Sequence, residues 1–241
     1  MGKFVIYGAT GAIGSTTARM LASKGEGLHL VGRDAVKLKA IADELDASST
    51  HGDVLEETIF AQVAQDAGET VSGMAYAVGT LNLKNLQRLT AEDFMTDFRV
   101  NALGAALAVQ ALLPALKKST IPASIVLFSS IAVNQGFKFH ASLGMAKGAV
   151  QGLTVSLAAD LAPDVRVNAI APSLTDTPLA AGLLENPKMA EAIAKLHPME
   201  RLGKVEDIAA MVTFLLSEES SWITGQIFGV DGGRSTLRTK S

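Results

Sequence analysis

The sequence predicts an α/β fold in which a doubly wound, seven-stranded parallel sheet lies between two layers of helices. Two observations carry this. Short apolar or β-branched runs alternate with longer segments of helical period along the chain, and the first run ends in a glycine-rich turn, "YGATGAIG" at residues 7–14. In chain order, strands are expected over residues 3–8, 27–31, 47–51, 71–77, 124–129, 165–170 and 226–230. Helices are expected between them over 12–24, 35–45, 55–67, 91–117, 143–161 and 205–217. No internal repeat, charge run or low-complexity linker interrupts this order, and 241 residues with 48% hydrophobic side chains suit one well-filled domain, 1–241. Residues 175–198 fall outside the alternation as a long connection with helical stretches. Connections of that length often cover a site, so this one is expected to be a substrate lid.

Charged residues make up 19% of the chain and the net charge is −3, which leaves no electrostatic footprint for nucleic acid and no basic face for an anionic membrane. The partners expected are a small-molecule substrate and further copies of the chain. Cysteine is absent, which removes thiol catalysis, thiolate metal sites and disulfides together, and no metal ligand set is assigned. Met1, Gly2 and Lys3 run straight into apolar Phe4-Val5-Ile6 without a secretory pattern, so a cytoplasmic protein is expected. The apolar stretch 101–116, interrupted by Gln110 and Pro114, falls short of the ~20 residues that span a bilayer and reads as a buried helix. It is apolar nearly all round, so a face is left over once it packs on the sheet; that face suits a subunit interface or a covering loop.

In the turn after the first strand, Gly8, Gly11 and Gly14 are spaced three apart and a helix begins inside the motif. Glycines let the chain turn sharply and bring backbone N–H groups against a pyrophosphate, whose charge a helix N-terminus favours. This makes the fold Rossmann-type, a three-layer sandwich built to hold a dinucleotide. The tip of the second strand, "HLVGRD", presents Gly32 where a carboxylate would hold a ribose 2′-hydroxyl, followed by Arg33, whose guanidinium matches a 2′-phosphate. NADP(H) is therefore favoured over NAD(H), the other reading being a solvated Arg33 beside an Asp34 that caps the next helix. In "HGDV", Asp53 stands where it could accept from adenine or cap a helix.

Together these residues resemble the short-chain dehydrogenase/reductase family from about Phe4 to Gly233. "YAVG" at 76–79 stands where the family has Asn-Asn-Ala-Gly, "VNALG" carries its helix asparagine at Asn101, and "LFSS" leads to its serine at Ser130. "VRVNAIAPSLTDTPL" resembles the segment around the nicotinamide end, with Pro172 and Thr177 matching and Ser173 in place of the usual glycine. "RLGKVEDIAAMVTFLLSEESSWITGQIFGVDGG" resembles the family's C-terminal signature. Ala12 replaces a glycine of the usual turn, and Gly11 restores the Gly-x-x-Gly-x-x-Gly form of longer relatives. The resemblance implies a cofactor surface of Gly8, Thr10, Gly11, Ile13, Gly14, Arg33, Asp53, Val54, Ala77 and Gly79, continued by Lys147, Pro172, Thr175 and Thr177.

It also implies hydride transfer between nicotinamide and a carbonyl or carbinol carbon, with a tyrosine moving the proton. Lys147, four residues after that tyrosine position, would bind the nicotinamide ribose; Ser130 would polarise the substrate oxygen; Asn101 would hold a relay water. The tyrosine position itself is Leu143, which neither donates nor accepts a proton. The chain has two tyrosines, Tyr7 and Tyr76, both on or beside predicted strands.

At 100° per residue His140 lies about 20° from Lys147 on a helical wheel and Ser142 about 140° away. His140 thus shares the lysine's face, about 10 Å along the axis. Enoyl reductases that resemble this family carry their tyrosine seven residues before the lysine, which is where His140 stands. An imidazole, with an unperturbed pKa of about 6.5 against about 10 for a phenol, needs less tuning to move protons near neutrality. His140 is the candidate acid/base; a cap or packing role at the helix start is the other reading. The expected function is an NADP(H)-dependent oxidoreductase acting on a small, rather apolar carbonyl, alcohol or activated alkene, assembled as a tetramer or dimer. The rival is a catalytically inactive NADP(H)-binding subunit or sensor.

Overall fold

The computed structural model describes residues 2–239. Seven strands, β1 (Lys3–Tyr7), β2 (Leu28–Gly32), β3 (Ser48–His51), β4 (Val71–Tyr76), β5 (Ala123–Phe128), β6 (Val165–Pro172) and β7 (Ile227–Val230), form one sheet in the order β3-β2-β1-β4-β5-β6-β7. Every neighbouring pair is parallel. The central strands read as mostly apolar runs, broken only by residues such as Ser72 and Ser124, because both faces are covered, and β5 and the inner residues of β1 are wholly buried.

The helices are α1 (Ala12–Ser23), α2 (Ala35–Glu44), α3 (Thr58–Ala67), α4 (Ala91–Phe98), α5 (Gly104–Leu116), α6 (Ala132–Gln135), α7 (Ala141–Leu161), α8 (Ala181–Leu184), α9 (Pro187–Ala194) and α10 (Val205–Leu216). One layer contains α3, α5 and α7, packed through Phe60, Val63, Leu112 and Val150; the other contains α1, α2 and α10, packed through Leu21, Leu38, Ile41 and Val212. The strand order reverses direction between β1 and β4, and a backbone bond from Ala77 N–H to the Tyr7 carbonyl ties their carboxyl ends together. A crevice opens at such a reversal, where no crossover helix covers both strand ends.

All seven expected strands and their order along the chain are present. β6 runs on to Pro172, because it gains a partner in β7 through the pairs Ala171↔Gly229 and Pro172↔Val230. α3 begins at Thr58 instead of residue 55, and α7 at Ala141 instead of 143. The single helix expected over 91–117 is α4 and α5 joined by a π-helical segment, Arg99–Leu103. That run, Ala91–Leu116, is 26 residues long, long and apolar enough to cross a membrane by length and composition, with 56% of its most apolar window buried within the protein. The sequence expectation of a span too short is corrected in length, since the helix starts well before Asn101.

Candidate active site

The glycine turn shapes a cradle. Gly8 has φ +77°, a left-handed conformation that side chains resist, and a Cβ there would strike the Ala77 carbonyl. A Cβ on Gly14 would strike the Gly8 carbonyl, so α1 packs closer to β1 than any other residue would permit. Gly11 caps α1 without a side-chain hydrogen bond, and the first turn holds no acidic residue, so the helix presents bare N–H groups and positive potential. These features fit a dinucleotide diphosphate. At the tip of β2 Gly32 offers no carboxylate, and a Cβ there would press on the Thr10 side chain at 2.7 Å, so a larger residue would require Thr10 to shift. Arg33 reaches into solvent, with Nη1 3.4 Å from Asp53 Oδ2, while Asp53 Oδ1 accepts from the Leu55 N–H. Asp53 thus closes a local turn and leans on Arg33, and the helix-cap reading does not hold, since Glu57 stands at the N-cap of α3. Asp34 does cap α2, accepting from Lys37 N–H.

Beyond the cradle, a cavity of about 470 Å³ is lined by Ile13, Ala77, Gly79, Ser130, His140, Leu143, Lys147, Pro172, Thr175 and Thr177, with Leu179, Ala180, Leu183 and Ile193 of the connection after β6 closing one side. The segment expected as a lid therefore forms a wall of this cavity. Val54 is buried in the core beside α3. Ser130 and its neighbour divide their work. Ser129 donates to the Lys147 carbonyl and accepts from Gln151, whereas Ser130 Oγ accepts from Ala132 N–H and keeps its own proton to donate into the cavity.

Lys147 is buried, with Nζ donating to the Phe128 carbonyl at 2.8 Å. Burial pulls its pKa down to about 8, and the Asp97 carboxylate works against that fall. A Cβ on Gly79 would stand 3.1 Å from Asn101 Oδ1 and 3.4 Å from Lys147 Nζ, so the glycine lies close against both groups. Asn101 lies in the widened π segment and donates to Thr80 Oγ1 and to the Asp97 carbonyl. Thr80 in turn donates to Asp97 Oδ1 at 2.6 Å. Asn101 Oδ1 and Asp97 Oδ2 are buried without a hydrogen-bond partner among the described residues. Two spare acceptors beside a buried ammonium suit a bound water or hydroxyl. Neither Thr80 nor Asp97 was picked out from the sequence, because only the chain fold brings them to Lys147.

His140 precedes α7 as its N-cap residue but makes no side-chain cap bond, which removes the capping role and leaves the packing one, against Phe137. Its Nδ1 lies 2.7 Å from the Lys138 carbonyl, an acceptor only, so Nδ1 holds a proton and Nε2 is the nitrogen that gains or loses one. The Phe137 ring contacts it edge-on at 5.4 Å. Leu143, wholly apolar, is buried in the same cavity wall. Tyr7 and Tyr76 are in the core, ring centroids 5.5 Å apart, and burial raises both phenol pKa values far above the ordinary range. The Tyr76 hydroxyl donates to the Val100 carbonyl, so neither phenol reaches the cavity. The other histidines are structural. His29 bonds Ser48 and Thr50, and burial lowers its pKa to about 4. His197 is buried beside the cavity wall, where its Nδ1 contacts the Ile193 carbonyl and its Nε2 accepts from Ser173.

A family model described as enoyl-(acyl carrier protein) reductase matches residues 8–235. A tropinone reductase homologue of Arabidopsis thaliana is 31% identical over 95% of this chain and 90% of its own. A 3-oxoacyl-[acyl-carrier-protein] reductase of Thermotoga maritima is 31% identical over 95% of this chain and 96% of its own. The chain belongs to the short-chain dehydrogenase/reductase family. The structure of a short-chain type dehydrogenase/reductase from Mycobacterium ulcerans superposes with a TM-score of 0.92 at 27% identity, covering 98% of this chain and 90% of that one. The family is one of oxidoreductases, and this member is an NAD(P)-dependent short-chain oxidoreductase by descent.

Proposed function

We propose that this dehydrogenase/reductase uses NADP(H) to interconvert a small, rather apolar carbonyl compound, or activated alkene, with its reduced form, and that His140 does the proton transfer for which Leu143 is unfit. The observation that carries this reading is one cavity holding Ser130, Lys147 and His140 together, with the His140 Nδ1 proton committed to the Lys138 carbonyl. NADPH, when bound, supplies the hydride. Gly8, Thr10, Gly11, Ile13 and Gly14 hold its diphosphate and adjoining ribose. Arg33, Asp53 and Val54 would receive its adenosine end, and Ala77, Gly79, Pro172, Thr175 and Thr177 its nicotinamide end. Ser130 donates to the substrate oxygen. Lys147 holds the ribose and its charge favours a developing oxyanion. Asn101 fixes a water between its spare oxygen and that ammonium. For alcohol oxidation, neutral His140 accepts the proton at Nε2; for reduction, the imidazolium donates it, or Ser130 relays it through water.

Turnover of ketones, quinones and enones followed by loss of NADPH absorbance tests the assignment. His140→Ala is expected to lower kcat by about 10²–10⁴, the usual weight of general acid–base catalysis, with NADPH affinity unchanged. Unchanged turnover in that variant would remove His140 from the chemistry. Leu143 in the cavity wall favours the rival, a cofactor-binding subunit without turnover; NADPH-dependent stabilisation with no substrate consumed would establish that instead. We also propose a cytoplasmic homo-oligomer, tetramer or dimer, built on the outer faces of α5 and α7.

A further inference from the structure

The C-terminal turn brings a cation to the cavity that the cofactor reading leaves without a task. After β7, the backbone turns through Gly232 and Gly233, both with positive φ, and Asp231 clamps the turn: Oδ1 accepts from Gly233 N–H at 2.8 Å and Oδ2 from Ser235 N–H at 2.9 Å. Gln135 Nε2 donates to the Arg234 carbonyl at 2.7 Å, fastening the turn to the end of α6. The Arg234 guanidinium then lies 4.8 Å over the Phe137 ring, whose edge touches His140. That guanidinium makes no hydrogen bond or ion pair with any other described residue, although it is half-buried and lines the cavity with Ser130, His140 and Lys147. Asp231, the nearest attraction it feels, has both oxygens occupied by backbone donors.

The lining of this cavity includes Lys138, Lys147 and Arg234 but no aspartate or glutamate. Lys147 is bonded to the Phe128 carbonyl and partly offset by Asp97, whereas Arg234 is stacked and oriented, feels Asp231 only through space and has no hydrogen-bonded anion. A guanidinium taken partly out of water needs an anion, and its planar fork fits two oxygens of one group. Leu83, Leu143, Leu179, Leu183 and Ile193 give the wall an apolar stretch. We propose that the substrate carries an anionic headgroup, a carboxylate or a phosphate, which docks on Arg234 while its carbonyl meets Ser130 and a short apolar body lies against these leucines. The proposal rests on the reading that this cavity receives the substrate, and it narrows the substrate class to anionic carbonyl compounds.

Calorimetry on protein saturated with NADP⁺, where a ketone cannot be reduced, separates the two readings. The probes are 2-oxohexanoate, its methyl ester and hexyl phosphate. One of the anions is expected to bind at least about tenfold tighter than the ester, and Arg234→Ala to abolish that preference. Arg234→Lys, which keeps the charge and loses the fork, should retain part of it. Tighter binding of 2-oxohexanoate identifies a carboxylate, and tighter binding of hexyl phosphate a phosphate. Equal binding of acid and ester, or an anion preference that survives Arg234→Ala in a variant still taking up NADP⁺, overturns the proposal. Loss of NADP⁺ uptake in both Arg234→Ala and Arg234→Lys assigns the residue to the cofactor and overturns it as well. No NADP⁺ uptake by the unaltered protein strikes the cofactor reading and this one together; uptake without anion preference strikes this one alone.

Discussion

Lys147 holds a charge that the fold makes expensive. Its pKa falls from 10.5 to about 8 because burial penalises the ammonium more than Asp97 restores it. Between those two values the unfolded chain keeps a proton that the folded chain has lost, so stability rises with pH across that window. Below about 8 both states hold the proton and the penalty is fully present. Denaturant unfolding of the unaltered protein and of Lys147→Met checks this. On going from about pH 8 to about pH 10.5, the unaltered protein should gain on the order of 3 kcal/mol relative to the variant. Parallel pH profiles would show that Lys147 is not strained in this way. Ser130, Asn101 and Lys147 were legible in the sequence, since spacing along one chain places them and a single motif order names them. Asp97, Thr80 and Arg234 were not, because tertiary packing alone brings Asp97 near Lys147 and Thr80 and Arg234 to the cavity, Arg234 from the far end of the chain. The tautomer of His140 was equally invisible, being set by the carbonyl of a loop residue, Lys138.

Among the elements, the run from α4 to α5 shows where periodicity stops informing. Its apolar content announced one helix, and one helical run exists, but the π segment at Arg99–Leu103 depends on a partner from another strand. Tyr76 extends from β4 to donate to the Val100 carbonyl inside the widened turn, and Gly104 leaves room for the phenol, since a Cβ there would strike its oxygen. That wide turn carries Asn101 into the site, in keeping with the association of π-bulges with functional positions. The strands were easier to read, because parallel strands buried on both faces leave near-continuous apolar runs. On α7, Val155 is 51% exposed, and on α5 Leu107 and Ala111 are only partly covered. If these faces join subunits, Val155→Asp places an unpaired charge in the interface and should weaken association by about tenfold or more. Sedimentation velocity checks it; a monomeric unaltered protein, or an oligomer indifferent to the change, would remove α7 from the interface.

Across the whole molecule, function follows from the point where the sheet reverses direction. β1 and β4 diverge in their onward connections, the glycine turn packs α1 tightly on β1, and the cavity continues from this turn toward α7 and the segment after β6. The alternation of strand and helix made this architecture legible, and the strand-end crevice follows from it. The proposed preference for NADP(H) turns on the tip of β2, where Gly32 offers no carboxylate, a Cβ there would stand 2.7 Å from the Thr10 side chain, and Arg33 is exposed. Arg33 near Asp53 is a weak, solvent-screened pair, so its guanidinium is free to meet a phosphate instead. Titration calorimetry of NADPH and NADH into the protein and into Arg33→Ala tests the central claim most directly. The account predicts saturable uptake of NADPH, tighter than NADH, and a loss of about tenfold or more in NADPH affinity on Arg33→Ala with NADH nearly unaffected. Equal losses for the two would contradict the phosphate assignment, and uptake of neither nucleotide would contradict the whole reading of the site.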